Sequence, residues 1–110
     1  MEISTRQSGA AIVMDVVGDI NLYNSPQVRS ALLKAVSDAQ GTQVIVNLHA
    51  VRYIDSSGVA SLIEGLKASR EAGSRLTLVG LSRMVREVLE LTRVLKLFDV
   101  QENEEPAQSA

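Results

Sequence analysis

Apolar residues form two kinds of stretch along this 110-residue chain. Short continuous runs at 10–17, 44–48 and 76–79 are rich in Val, Ile and Leu, which is typical of β-strands. The run at 44–48 is apolar at nearly every position and predicts a central strand covered on both faces. A further strand is expected at 3–7, because Gly9 predicts the turn of an N-terminal hairpin.

Between these runs, apolar residues recur every three or four positions, which is the spacing of an amphipathic helix. Ser25 is predicted to cap the first helix, because Pro26 is favoured at the first helical position, and Gly41 follows the end of the pattern. A second helix is expected to start near Ser57 and a third after Ser82. The positions predicted to face the core are Val28, Ala31, Leu32, Ala35, Val36, Ala39, Val59, Leu62, Ile63, Leu66, Met84, Val85, Val88, Leu91 and Leu95.

The alternation of strands and helices predicts an α/β fold, in which crossover helices connect the strands of a mixed central sheet. A final short strand is expected at 98–100. Residues 1–102 are predicted to form one domain, because the chain has the length for a single core. Residues 103–110 include Glu104 and Glu105 and are predicted to form a flexible acidic tail.

Composition and charge argue against several classes of function. Lys and Arg number 11 against 13 Asp and Glu, and the basic residues do not cluster with aromatic ones, so direct binding of nucleic acid is not expected. The chain has no cysteine and a single histidine, His49, and we therefore expect no metal site and no cofactor. Neither a signal segment nor a membrane-spanning run is recognisable, which predicts a cytoplasmic protein without membrane insertion.

The run 51–58 places two serines where a strand gives way to a helix. Backbone N–H groups at a helix N-terminus favour an anion, so a phosphate added to Ser56 or Ser57 would be accommodated there. The alternative is that these serines only cap the helix, because Ser and Asp are common capping residues. Asp55 is equally suited to a cap, and Asp19 to a turn.

Catalysis by one of these serines has the least support. The sequence lacks Gly-x-Ser-x-Gly, and His49 is the only candidate for a general base. No glycine-rich phosphate-binding loop is recognisable either. Tyr23 and Tyr53 fit two alternatives equally well, as exposed contact residues or as core residues.

The order of these motifs resembles that of the STAS-domain anti-sigma factor antagonists. The resemblance extends over nearly the whole chain, and its motifs are Gly18-Asp19-Ile20-Asn21 followed by Ser25-Pro26, Val44-Ile45-Val46-Asn47-Leu48, Ile54-Asp55-Ser56-Ser57-Gly58, and Leu78-Val79-Gly80-Leu81. It implies the STAS fold, a mixed central sheet with an N-terminal β-hairpin and crossover helices packed mainly on one face.

The resemblance also implies a regulatory binding protein rather than an enzyme. In this family, the serine after the aspartate is phosphorylated by an anti-sigma factor with serine kinase activity, and Ser56 is the matching residue. The unphosphorylated form binds the anti-sigma factor, phosphorylation releases it, and a metal-dependent serine phosphatase restores the first form. Asp55, Ser57 and Gly58 would form the switch loop with Ser56. The residues predicted to bind the partner are Asp19, Asn21, Leu22, Tyr23, Asn24, Ser25 and Val59.

Two positions depart from the family pattern. Asn21 and Asn47 stand where many members carry aspartate, and both changes are expected to remove negative charge near the phosphorylation site. An alternative function is that of a STAS accessory subunit of a lipid-type ABC transporter, which would bind the transporter's ATPase without phosphorylation. A serine-dependent enzyme that uses His49 is the third possibility.

Overall fold

A computed structural model of the protein describes residues 1–104. This part of the chain forms five strands and three α-helices, which alternate after an initial pair of strands. The strands are β1 (Glu2–Ser8), β2 (Ala11–Val17), β3 (Gln43–Ala50), β4 (Arg75–Val79) and β5 (Asp99–Gln101). The helices are α1 (Ser25–Ala39), α2 (Ser56–Glu71) and α3 (Arg83–Leu91), and a 3-10 turn (Leu95–Leu97) precedes β5.

The five strands form one mixed sheet in sequence order, so that β3 is the central strand. β1 and β2 pair antiparallel and form the predicted hairpin, whereas β2 to β5 run parallel. Gly9 in the hairpin turn has a φ of 59°, a conformation that glycine adopts without steric cost. Parallel neighbours need crossover connections, and the three helices supply them. The predicted α/β fold with a mixed sheet is confirmed.

All three helices pack on one face of the sheet and form the main core with it. Successive side chains of a strand point to opposite faces, and Val44, Val46 and Leu48 of β3 belong to the cluster that the helices cover. Leu32 of α1 and Leu62 of α2 are fully buried in the same cluster. Burial of apolar surface is the dominant favourable term in folding, so this layer holds the sheet and helices together.

The face of the sheet opposite the helices, called the second face below, carries a smaller apolar cluster beside polar side chains. Its buried members are Ala11, Val13, Ile45 and Val79. Arg6 donates from Nε to Asp15 Oδ2 at 2.8 Å, and this bond holds the pKa of the Asp15 carboxyl below its usual range. Arg6 also forms an ion pair with Glu104, which belongs to the predicted tail. The remainder of that tail, 105–110, lies outside the described residues.

α1 begins differently from the sequence prediction. Ser25 is the first helical residue and is buried, and Asn24 occupies the cap position. The reason lies in the turn before the helix, where Ser25 N donates to Asn21 O at 2.8 Å and the chain is already coiled. Pro26 still lies in the first turn, where its missing N–H would have no helical partner. The prediction of Ser25 as N-cap is therefore wrong.

α2 begins at Ser56, one residue before the predicted start, and its apolar face is the expected one. Val59, Leu62 and Leu66 are buried, and Ile63 is half-buried against the core. With 16 residues it is the longest helix within 1–104. No helix in that part of the chain has both the length and the apolar character needed to cross a membrane.

The helical pattern predicted for 84–95 is interrupted. α3 ends at Leu91, and its only buried residues are Val85 and Leu89. Met84 is 50% exposed and Leu91 is 82% exposed, so the prediction that these two residues face the core is wrong. Leu95 follows in the 3-10 turn, where the helical period no longer applies.

The α1–α2 contact depends on Gly65, and we predict that Gly65→Ala destabilises the protein. A Cβ on Gly65 would lie 2.1 Å from Leu32 Cδ2, a steric overlap that overpacking studies associate with a loss of about 1–3 kcal/mol. Helix propensity alone would change stability in the opposite direction, by about 1 kcal/mol. Urea unfolding measures whether the substitution lowers or raises the free energy of unfolding. In a Leu32→Ala background the same substitution should lose most of its cost, and an equal cost in both backgrounds would contradict the prediction.

Candidate functional site

Two loops meet at the carboxyl edge of the sheet. The β2–α1 loop (18–24) and the β3–α2 loop (51–55) are joined by an isolated parallel bridge between Ile20 and Ile54. Ile20 N donates to Tyr53 O at 3.0 Å, and Asp55 N donates to Ile20 O at 3.1 Å. Ile20 and Ile54 are both fully buried. Backbone hydrogen bonds and buried isoleucines therefore fix the two loops relative to each other, without a contribution from exposed side chains.

The carboxylate of Asp55 caps α2 and also holds the β2–α1 loop. Its Oδ1 accepts from Gly58 N at 3.1 Å and from Ser57 Oγ at 2.5 Å, and its Oδ2 accepts from Leu22 N at 3.0 Å. The hydrogen bond from Ser57, together with those from the backbone N–H groups, lowers the pKa of Asp55 from its ordinary value. Asp55 is thus a charged acceptor that three donors share, two from the first turn of α2 and one from the β2–α1 loop.

The two serines of the switch loop have different environments. Ser57 is half-buried and its hydroxyl donates to Asp55. Ser56 is exposed, and its hydroxyl makes no hydrogen bond within the described residues. An exposed hydroxyl without a partner is open to an incoming phosphoryl donor, whereas that of Ser57 would first have to leave a charged acceptor. Of the two hydroxyls, that of Ser56 is the accessible one.

Gly58 is required by close packing at this point. It is buried in the first turn of α2, and a Cβ there would lie 2.5 Å from Ile54 Cγ1 and 2.7 Å from Ile20 Cγ2. Any other residue would push apart the two isoleucines that bridge the loops. Gly58 therefore allows the N-terminus of α2 to lie directly against the bridged loops.

The β2–α1 loop is held by its own asparagines and presents two apolar side chains. Asn21 Oδ1 accepts from Tyr23 N at 2.9 Å, and Asn24 Oδ1 accepts from Asn21 N at the same distance. Asn24 also donates from Nδ2 to the backbone oxygen of Asp19 at 2.9 Å. Leu22 is 67% exposed and Tyr23 is 93% exposed. The alternative in which Tyr23 fills the core is excluded.

Two residues predicted to bind a partner lie in the interior. Val59 is 4% exposed and belongs to the main core, and Ser25 is 6% exposed. Ser25 contributes its backbone oxygen, which accepts from Ser61 Oγ at 3.0 Å and links α1 to α2. Burial removes the surface that these two residues would need for contact, so their assignment to the binding face is not supported. Asp19, Leu22 and Tyr23 remain on the exposed part of the loop.

Met84 and Tyr53 extend the exposed apolar surface at this edge. Tyr53 is 42% exposed and Met84 is 50% exposed. Ser82, the N-cap of α3, donates to Arg52 O at 3.1 Å, which holds the first turn of α3 beside the β3–α2 loop. The sequence pattern missed Met84 because Met84, Val88 and Leu91 also have helical spacing, whereas the buried stripe of α3 runs through Val85 and Leu89.

His49 is not positioned as a base for either serine. Its backbone N donates to Asn47 Oδ1 at 3.0 Å, and its ring lies against Gly80, where a Cβ would be 2.4 Å from the ring carbon Cγ. Within 1–104, the hydrogen-bond partner of Ser57 is Asp55 rather than a histidine. The same residues include no group of three or more His, Asp or Glu that could hold a metal ion. The geometry gives no support to a serine-dependent enzyme.

Asn47 belongs to the second face rather than to the switch loop. It donates from Nδ2 to Asp15 Oδ1 at 2.8 Å, and Asp15 in turn accepts from Arg6. Its side chain is therefore held by strand neighbours, which corrects the expectation that Asn47 affects charge beside Ser56. Asn21 is close to the switch loop, because the next residue, Leu22, donates to Asp55.

A model of the STAS domain family matches residues 2–107. The chain belongs to the STAS domain family. Among its relatives, the anti-sigma-B factor antagonist of Staphylococcus aureus is 28% identical over 106 residues, which are 96% of each chain. That of Listeria monocytogenes is 29% identical over 85 residues, 77% of this chain and 74% of the relative.

Solved structures have the same fold as this STAS domain. An anti-sigma-factor antagonist (STAS) domain protein from Planctomyces limnophilus has a TM-score of 0.84 and 21% identity, covering 96% of this chain and 93% of that chain. The anti-sigma factor antagonist SpoIIAA in its unphosphorylated form has a TM-score of 0.72 and 19% identity, and the match covers 98% of this chain and 96% of that chain. These identities establish the fold alone, and the predicted STAS fold is confirmed.

We predict that Asp55→Ala destabilises this STAS domain by about 0.5–2 kcal/mol at neutral pH, because α2 loses its cap. The folded-state pKa of Asp55 is lowered, so its contribution is present above the ordinary pKa of 3.8 and is lost as the pH falls through the folded value. The stability difference from wild type should therefore shrink below about pH 4. Denaturant unfolding of both proteins at a series of pH values measures this stability difference. Asp19→Ala is the control, because Asp19 is exposed and its carboxylate makes no hydrogen bond within 1–104.

Proposed function

We propose that this STAS domain is an anti-sigma factor antagonist that is switched by phosphorylation of Ser56. The named relatives are anti-sigma-B factor antagonists, and SpoIIAA, which has the same fold, is known in a phosphorylated and an unphosphorylated form. The observation that carries the assignment is the exposed, unpartnered hydroxyl of Ser56 beside the engaged hydroxyl of Ser57. In its unphosphorylated form the protein binds an anti-sigma factor, and this binding frees the sigma factor.

The partner is an anti-sigma factor with serine kinase activity, and a metal-dependent serine phosphatase reverses the modification. A phosphoserine carries about -1.5 to -2 charges. Phosphorylation of Ser56 would place this charge next to the ionised Asp55, on the surface that the partner covers. Burying such a group without a matching cation costs several kcal/mol, and each ~1.4 kcal/mol is tenfold in affinity. A single phosphate is therefore sufficient to release the partner.

The switch requires little change in the fold. Ser56 is the first residue of α2, where free backbone N–H groups and the helix dipole favour negative charge. The Asp55 bonds to Ser57, Gly58 and Leu22 do not involve the Ser56 hydroxyl. The phosphate therefore changes the surface while the helix and the two loops keep their positions.

The partner surface comprises the exposed part of the β2–α1 loop and the adjoining switch loop. Leu22 and Tyr23 supply apolar area, Asp19 and Asn21 supply polar groups, and Asn24 shapes the loop through its bond to Asp19 O. Tyrosine is enriched among binding hot spots, and the exposed leucine beside it adds apolar area. Because the loop is preformed, little ordering is needed on association.

We predict that incubation with ATP and the partner anti-sigma factor adds one phosphate, located on Ser56. Intact-mass analysis with peptide mapping should find it in wild type and in Ser57→Ala, and should find none in Ser56→Ala. Unphosphorylated wild type and Ser56→Ala should both bind the partner in calorimetry, and only wild type should lose binding after ATP treatment. A phosphate on Ser57, or full binding by the phosphorylated protein, would sink the proposal.

We also predict that Leu22→Ala and Tyr23→Ala each weaken binding of the anti-sigma factor by about tenfold or more, which corresponds to ~1.4 kcal/mol or more. Both side chains are exposed, so the free energy of unfolding should change by less than about 0.5 kcal/mol. Leu91→Ala is the control, because Leu91 is also an exposed leucine, at 82% against 67% for Leu22, and lies on α3. Unchanged binding by Leu22→Ala and Tyr23→Ala, or an equal loss in Leu91→Ala, would contradict this assignment of the partner surface.

A further inference from the structure

The chain that follows β5 crosses the second face of the sheet. β1 and β5 are the two edges of the five-stranded sheet, about 19 Å apart at the usual strand spacing. Glu104 forms an ion pair with Arg6 of β1, although β5 ends at Gln101 and three further residues span about 10 Å at most. Arg6 lies on the second face, opposite Val13. Residues 102–104 must therefore run across that face, because only a direct path brings the two side chains together.

The residues along this path are apolar and buried. Val79 pairs with Gln101, where the path begins, and Val13 pairs with Arg6, where it ends. Val13, Val79 and the intervening Ile45 are 0% exposed and belong to the smaller apolar cluster, on the side of the sheet that the three helices leave open. Parallel strands are normally covered on both faces. The segment that crosses this face is positioned to cover the cluster.

The ion pair that holds Glu104 on this face is releasable. The Arg6 guanidinium bonds Asp15 through Nε and Nη2 and Glu104 through Nη1 and Nη2. Two carboxylates thus share one cation, and their mutual repulsion weakens the hold on each. The side chains of Arg6 and Glu104 are 45% and 29% exposed, and ion pairs in contact with water are screened by salt and contribute little to stability. Asp15 lies in a strand, so Glu104 is the partner that can leave.

We propose that residues 102–104 are a strap that the Arg6–Glu104 ion pair closes over the second face, and that this strap opens while the rest of the domain stays folded. The strap is Glu102-Asn103-Glu104 and has no apolar side chain, and segments with few buried apolar contacts open at a low free energy. The main core keeps its packing, because its strand residues point to the opposite face. Opening exposes the smaller apolar cluster and so gives the protein a second apolar surface, apart from the one beside Ser56.

Cysteine labelling measures this opening, because the chain contains no cysteine. Val13→Cys places a thiol on the second face, and Val46→Cys places one beneath the helices; both valines are 0% exposed. A thiol reagent should modify Val13→Cys about tenfold faster or more, because local opening is more frequent than the unfolding that Val46→Cys requires. Val79→Cys, at the other end of the path, should react as Val13→Cys does. Low urea concentrations should accelerate mainly the Val46→Cys reaction, because unfolding exposes more surface.

Glu104→Gln tests whether the ion pair closes the strap. It removes the charge that Arg6 holds and should accelerate labelling of Val13→Cys by about threefold or more, while the rate for Val46→Cys stays the same. Glu102→Gln is the matched control, because it makes the same charge change within the strap, at an exposed carboxylate that forms no hydrogen bond within 1–104. High salt should accelerate labelling of Val13→Cys as Glu104→Gln does, and should add nothing in the Glu104→Gln background.

Three results would each overturn the proposal. Equal labelling rates for Val13→Cys and Val46→Cys would mean that the second face becomes accessible only when the domain unfolds. An unchanged Val13→Cys rate in Glu104→Gln, or the same acceleration in Glu102→Gln, would mean that the Arg6–Glu104 ion pair does not close the strap. Equal acceleration of both cysteine variants by Glu104→Gln would mean that this carboxylate stabilises the whole domain rather than the strap.

Discussion

The carboxylate of Asp55 is the interaction on which the candidate site depends. It accepts hydrogen bonds from the first turn of α2 and from Leu22, which belongs to a loop more than thirty positions earlier in the sequence. One charged group therefore caps a helix and fixes the loop that carries the two most exposed apolar side chains of the site. Bonds to an ionised acceptor are about twice as strong as neutral ones. They add to the Ile20–Ile54 bridge, which joins the same two loops through the backbone.

Behind this carboxylate, glycines allow a closeness of packing that larger residues would prevent. Gly58 brings the start of α2 against the Ile20–Ile54 bridge, and Gly65 brings the same helix against Leu32 of α1. α2 is thereby held at its first turn and again near its middle. A rigid support is what an exposed recognition surface needs, because the entropy of ordering it has been lost on folding rather than on binding. The Ser56 hydroxyl makes no hydrogen bond within this support, so the phosphorylation proposed for it would leave the support intact.

Much of this arrangement could be predicted from the sequence, and the exceptions have identifiable causes. Continuous Val and Ile runs and helical spacing predict the strand and helix order, because both patterns report burial directly. Asp55 was recognised as a possible cap from its residue type, but its bond to Leu22 joins distant segments and has no local signal. Met84 and Leu91 share the helical period of Val88, yet the buried stripe of α3 runs through Val85 and Leu89, which leaves Met84 and Leu91 exposed. Val59 fits both the helical core pattern and a place on the binding face near Ser56, and the packed structure decides for the core, because Val59 is 4% exposed.

The two asparagines that replace the family's frequent aspartates have different physical consequences. Asn47 donates to Asp15 at 2.8 Å, and a carboxylate there would face a second carboxylate without a proton to share. The amide is therefore required as long as Asp15 is kept for Arg6. The side-chain oxygen of Asn21 only accepts, from Tyr23 N and Asn24 N, and an aspartate oxygen would do the same. At that position the loop geometry is preserved either way, and the difference is one negative charge on the exposed loop beside Asp55. Asn47 thus serves the fold of the sheet, whereas Asn21 changes the electrostatic character of the exposed loop beside Asp55.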